Sequence, residues 1–322
     1  MAIALSACAT APSTVAPDTP DPAASEPLMT WNDLTSRDLP QPTSTHAYGD
    51  AAAQVADLWL PDGPGPHPTV LMVHGGCWQK DIADRTLMNY AAEDLRARGF
   101  AVWNIEYRGV DEIGGGYPGT FLDVSEAANS LLEQGPELGL DVARIVAIGH
   151  SAGGHLAAWL AAQPNLSTKS ELSTGRAVPL KAVIVSGGLA DLKASAPVTL
   201  ESCLATIMDD LTGEPDEQRR DVFSDTSPAE LLPVDTRLIS VNGQRDRIAP
   251  PLLGRALTDA VRAAGGQADY VEVENAGHVE LISPGTEAFN VQAVLIEKYL
   301  GGPSRIIHFP VALRINVGLE GN

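Results

Sequence analysis

Arg144-Ile145-Val146-Ala147-Ile148-Gly149-His150-Ser151-Ala152-Gly153-Gly154 is the stretch on which the fold turns. Its first half is a short apolar run suited to a strand buried on both faces of a parallel sheet. Gly149–Gly153 is a G-x-S-x-G pentapeptide, and a helical pattern begins near Ser151. A serine on a tight strand-to-helix turn projects its hydroxyl freely, and small neighbours are needed because the turn is crowded. The helix N-terminus behind it offers free N–H groups and a positive dipole end to a developing oxyanion. Ser151 therefore reads as a nucleophile; the bland alternative is a glycine-rich turn.

Working outward, strand patterns precede this stretch at Ala53–Leu60, Thr69–His74 and Phe100–Tyr107, and follow it at Lys181–Ser186, Arg237–Val241 and Tyr270–Glu274. Helical patterns fall at Ala83–Arg98, Phe121–Glu133, Leu253–Ala264 and Glu287–Leu300. Strands alternating with helices imply crossover units, hence an α/β fold with a mostly parallel central sheet flanked by helices. Between Pro197 and Leu232 the rhythm gives way to a polar, acidic stretch. It is expected to be a small lid or cap above the carboxyl ends of the strands, where α/β ligands bind.

A second motif, His74-Gly75-Gly76-Cys77-Trp78, closes the Thr69–His74 strand. Glycines let backbone amides approach an oxyanion closely. The amides of Gly76 and Cys77, with that of Ala152, are the expected oxyanion hole. Trp78 and His150 flank the two motifs as expected substrate contacts, with His74 and His150 also bracing the backbone.

Seven histidines compete for the role of base. His278 follows the last strand and precedes the last helix, where a loop can carry an imidazole over the serine. His155 lies one turn beyond Ser151 and reads as a packed helix residue. The orienting acid is expected just past the penultimate strand, at Asp246, with Asp191 as its rival. The order Ser…Asp…His suits both. Gly114–Gly119 satisfies G-x-G-x-x-G, but it begins several residues after its strand and follows the third strand rather than the first. It reads as a loop shaping the pocket rim.

Forty-one acidic residues against twenty-one basic ones give a formal charge of −20. Such a surface repels phosphate backbones, which argues against a nucleic-acid partner. Cys8, Cys77 and Cys203 form neither a disulfide framework nor a C-x-x-C metal pair, and a Cys77–Cys203 bridge is the less expected arrangement. Leu5-Ser6-Ala7-Cys8 resembles a bacterial lipobox, and Ala9–Pro27 has the Pro, Ala, Ser and Thr content of a tether. No basic residue precedes the short apolar run, so two readings stay open. One is an exported protein touching a membrane only through a lipid on Cys8; the other is a cytoplasmic protein with a chance cysteine. The expected organisation is a signal-like start and tether over 1–30, a catalytic domain over 31–302 with its lid at 197–232, and a tail of no evident role at 303–322.

Together these residues resemble the α/β-hydrolase superfamily, and within it the kynurenine formamidase and hormone-sensitive-lipase-like esterase group. The resemblance is carried by His74–Trp78, by Glu106-Tyr107-Arg108 with Pro118 and Asp123, by Gly149–Gly154, and by Ser186–Leu192 and Ser227-Pro228. It spans about Tyr48 to Leu300. It implies a triad of Ser151, Asp246 and His278, the oxyanion hole named above, a small ester or amide as substrate, and no metal or cofactor. The expected activity is carboxylic ester hydrolysis through an acyl-enzyme. The alternatives are arylformamidase chemistry and a silent hydrolase fold used as a binding module. Cys77 stands where those esterases carry a third glycine.

Overall fold

The computed structural model describes residues 26–199, 203–204 and 206–301, and the backbone of Arg314 and Ile315. Its strands are β1 (Ser44–Ala47), β2 (Val55–Trp59), β3 (His67–Val73), β4 (Ala101–Ile105), β5 (Leu140–His150), β6 (Leu180–Ser186), β7 (Arg237–Gly243), β8 (Ala268–Val273) and β9 (Arg314–Ile315). Its α-helices are α1 (Trp31–Thr35), α2 (Asn89–Ala97), α3 (Gly119–Gln134), α4 (Ala152–Ala162), α5 (Leu192–Ser195), α6 (Met208–Thr212), α7 (Phe223–Thr226), α8 (Pro251–Ala263) and α9 (Glu287–Leu300). One sheet holds every strand in the order β1-β2-β4-β3-β5-β6-β7-β8-β9. From β4 to β8 the pairings are parallel, while β1, β2 and β9 join antiparallel at the two edges.

Side chains alternate between the two faces of the strands, and each face has its own core. Leu71, Val73, Ile145, Ala147, Val183 and Val185 pack under α3, α4 and α8. Val70, Met72, Val146, Ile148, Ile184 and Val241 pack under α2 and α9. Burial on both sides explains why β3 to β7 read as continuous apolar runs rather than alternating ones. Every residue of α4 is buried, which accounts for its lack of a polar face. Among the described residues no helix is long and apolar enough to cross a membrane.

Two elements depart from the sequence reading. β1 has a half-exposed edge pattern without an apolar run, so nothing marked it as a strand. α1 lies in the chain ahead of the sheet, with Leu34 fully buried in the α2/α9 core. The signal-like start and most of the tether fall outside the described residues, as does His308. Of the 303–322 tail, Arg314–Ile315 pairs with Val271 and Glu272 of β8.

Candidate active site

Ser151 joins β5 to α4 with φ 55° and ψ −120°, a region that L-residues avoid. Its own N–H donates to the carbonyl of Ser186 on β6 at 2.9 Å, holding the turn against the sheet. Gly153 sits where a side chain would run into the carbonyls of Val73 and His74. The small residues of the pentapeptide thus permit α4 to start directly behind the hydroxyl. Ala152 opens α4, where N–H groups have no partner within the helix.

The loop after β3 turns on three consecutive positive φ angles, at Gly76 (109°), Cys77 (51°) and Trp78 (56°). Beneath it lies a buried charge network. His74 Nδ1 donates to the carbonyl of Gly75 at 2.6 Å, and Nε2 donates to Glu106 Oε1 at 2.8 Å. The Tyr107 ring stacks on that imidazole at 4.3 Å, and its hydroxyl donates to the His74 carbonyl. Glu106 also accepts from Lys80 at 2.8 Å. Burial works against the charge on Glu106, yet His74 and Lys80 hold its carboxyl well below the usual range.

His278 Nδ1 donates to Asp246 Oδ2 at 2.7 Å, and both side chains are almost fully buried. The other carboxylate oxygen, Oδ1, accepts from the amides of Ile248 and Ala249 at 2.8 and 2.9 Å. The two loops that carry this pair are themselves joined, Gln244 N to Val273 O and Arg245 N to Ala276 O. Asp191, the rival acid, instead caps α5 by accepting from the amide of Ala194.

His150 and His278 pack ring to ring at 4.3 Å, and His150 Nε2 donates to the carbonyl of His278 at 3.1 Å. Burial and the neighbouring His278 push the pKa of His150 well down. A cavity of about 350 Å³ collects Ser151, His278, His150, Gly76 and Cys77, with Trp31, Ile82, Leu87 and Ile248 as apolar lining.

Three expectations are corrected. Trp78 does not face this cavity: it is fully buried, and its indole N–H donates to His155 Nδ1 at 3.2 Å. A large apolar ring with one donor is better accommodated in a core offering one acceptor than in a wet cleft. Cys77 and Cys203 are joined by a disulfide, Cα to Cα 5.1 Å, which ties the turn after β3 to the segment following β6. The Gly114–Gly119 loop packs under that same segment, Tyr117 N donating to Asp210 O, and Tyr117 lines a separate polar cavity beside Arg219.

Besides Ile82 and Leu87, the sequence pattern does not mark three further contributors. Trp31 reaches the cavity from α1, Ile248 from the loop that holds Asp246, and Glu280 supports the His278 loop by accepting from Gly277 N. Thr30-x-x-Asp33, which forms a capping box, is a legible sign that a helix opens the expected domain at Trp31.

Comparison with known proteins bears on the same region. The family model described as BD-FAE matches residues 56–261, well over half of the chain. The chain belongs to this family. As a BD-FAE member it is 28% identical over 237 residues to esterase LipC of Mycobacterium tuberculosis, covering 72% of this chain and 58% of that protein. It is 26% identical over 245 residues to the isoprenylcysteine alpha-carbonyl methylesterase ICME of Arabidopsis thaliana, covering 73% and 56%. The matched region thus spans just over half the length of these two relatives. Among solved structures, esterase B from Lactobacillus Rhamnosis superimposes with a TM-score of 0.69 at 21% identity, covering 81% of this chain and 87% of that one. A truncated carbohydrate esterase from gut microbiota gives 0.67 at 18% identity, covering 81% and 98%. The fold of this BD-FAE protein is that of the α/β-hydrolase superfamily.

Proposed function

We propose that this chain hydrolyses small carboxylic esters through a serine acyl-enzyme. The observation that carries the reading is the His278–Asp246 pair at 2.7 Å, opening on the same cavity as a serine held at positive φ. The esterase names of LipC and ICME support it as well.

In this reading Ser151 Oγ attacks the ester carbonyl while His278 Nε2 accepts its proton. Asp246 fixes the proton on Nδ1, keeping Nε2 free as the base, and stabilises the imidazolium that forms. The tetrahedral oxyanion accepts from the amides of Gly76, Cys77 and Ala152. Collapse breaks the bond to the leaving oxygen, which takes the proton from His278 Nε2. Water then repeats the sequence on the acyl-enzyme and regenerates the Ser151 hydroxyl. The 197–232 segment, tethered to the oxyanion loop through Cys203, acts as a cap over one side of the cavity.

The test is turnover of p-nitrophenyl esters from acetate to laurate by wild type, Ser151→Ala and Asp246→Asn, with N-formylkynurenine alongside. Turnover abolished in Ser151→Ala and cut by orders of magnitude in Asp246→Asn is expected. Full activity in either variant, or no ester cleavage by folded wild type, overturns the reading.

A further inference from the structure

We infer that Trp31 is a specificity-determining residue that grips the alcohol portion of the ester and selects substrates whose leaving group is apolar. The inference rests on the serine esterase reading above.

Trp31 belongs to the first helix, yet it stands over the catalytic cavity as one of its lining residues. Its indole meets the His278 ring edge to face, centroids 6.1 Å apart at 82°, and the His150 ring at 6.3 Å and 74°. At 39% exposure it is among the large apolar side chains left open to solvent. An exposed indole beside a catalytic cleft is surface held ready for a ligand.

Which end of the substrate it meets follows from the chemistry. His278 hands its proton to the leaving oxygen, so the alcohol must sit against the His278 imidazole. A group packed on that imidazole borders the alcohol, not the acyl chain beyond the oxyanion loop. Ile248 lies on the same loop as Asp246 and adds an aliphatic wall to this side. The lining offers an aryl or alkyl alcohol dispersion contact and few partners for a hydroxylated one.

The segment that carries the indole is bonded to both catalytic loops. Glu280 accepts from Met29 N at 2.6 Å with one oxygen and from Gly277 N at 3.0 Å with the other, so a single carboxylate joins the chain ahead of Trp31 to the His278 loop. Arg245 Nη1, next to Asp246, donates to the carbonyl of Glu26 at 2.6 Å. Beyond the helix, Arg37 Nη1 donates to the carbonyl of Pro284, and Leu34 is fully buried. The 26–37 segment is therefore a strap across the site, and a preorganised aromatic wall loses little entropy on binding.

Two ester series separate the ends of the substrate: butyrates of methanol, butanol and 2-phenylethanol, and ethyl esters from acetate to hexanoate. Wild type is expected to favour 2-phenylethyl over methyl butyrate in kcat/KM. Trp31→Ala is expected to lower that ratio about tenfold, chiefly through KM, the scale of a lost apolar contact. The acyl-chain profile keeps its shape, and Trp31→Phe retains most of the preference. An equal fall on every ester marks a merely structural role and overturns the inference, as does a change confined to the acyl series. If the alanine variant fails to fold, Trp31→Gln, checked for an unchanged melting temperature, is expected to lower the same ratio, and an unchanged ratio overturns the inference. Absence of any ester turnover by wild type counts against the esterase reading itself, whereas turnover with no dependence on residue 31 counts against this inference alone.

Discussion

The indole N–H of Trp78 donates to Nδ1 of His155, and the opposite nitrogen of that ring donates to the carbonyl of Thr226 at 2.7 Å. One buried, neutral imidazole thereby joins the loop after β3, the helix behind Ser151 and the segment after β6. The Phe121 ring packs edge-on against it. A proton on Nδ1 would set donor against donor.

Burial pushes the pKa of His155 down to about 4 from an ordinary 6.5. The unfolded chain therefore takes up a proton that the native ring refuses, and stability falls as pH drops from about 6.5, levelling off near 4. A difference of that size is worth about 3 kcal/mol when fully expressed. Melting temperature against pH is expected to fall more steeply in wild type than in His155→Gln across that window. Parallel curves would mean that His155 is not the source.

The backbone of Ser151 predicts an unusual stability ordering of two variants. Alanine removes the hydroxyl but keeps a Cβ at φ 55°, whereas glycine takes up that conformation without strain. Conformations of this kind cost on the order of 1–3 kcal/mol, partly offset by the greater freedom of unfolded glycine. Ser151→Gly is expected to unfold at higher denaturant than Ser151→Ala by about 1 kcal/mol. A less stable glycine variant would show that the turn is not strained.

Much of this site was readable from the chain because its parts are local in sequence. Gly149–Gly153, His74–Trp78 and the loops of Asp246 and His278 each follow an apolar strand, and the strand marks them. The strap could not be found that way. Met29 meets Glu280 across 251 residues, and a five-residue helix carries no periodicity. Trp78 misled for the opposite reason: its motif does close a strand, but three positive φ angles in succession turn its side chain inward. The Cys77–Cys203 bridge was the less expected arrangement because Cys203 lies in a segment with no regular pattern to fix where it returns.

Glu106 is expected to act on turnover without touching substrate. Its carboxylate accepts from one nitrogen of the His74 ring, whose other nitrogen braces the Gly75 carbonyl. Glu106→Gln retains shape but removes the charge, so the loop carrying Gly76 and Cys77 loses its anchor. A fall in kcat of about ten- to a hundredfold is expected, below the full loss of an oxyanion donor. KM for a short ester should stay within about twofold, because Glu106 is not among the residues lining the cavity. A variant that raises KM and spares kcat would refute this assignment.

The Cys77–Cys203 bridge closes a loop of 126 residues and fixes one proposed oxyanion donor to the segment after β6. A cross-link of that span contributes about 4–5 kcal/mol in the chain-entropy account. Cys203→Ser is expected to lower the melting temperature and reduce kcat on p-nitrophenyl butyrate, since the turn at Cys77 then relies on its hydrogen bonds alone. Dithiothreitol should bring wild type to the same rate and leave the variant unchanged, which separates loss of the bond from an effect of serine. A reduced wild type with full kcat and a lowered melting temperature would confine the bridge to stability. Equal melting curves before and after reduction would mean that the bond does not form in the folded protein.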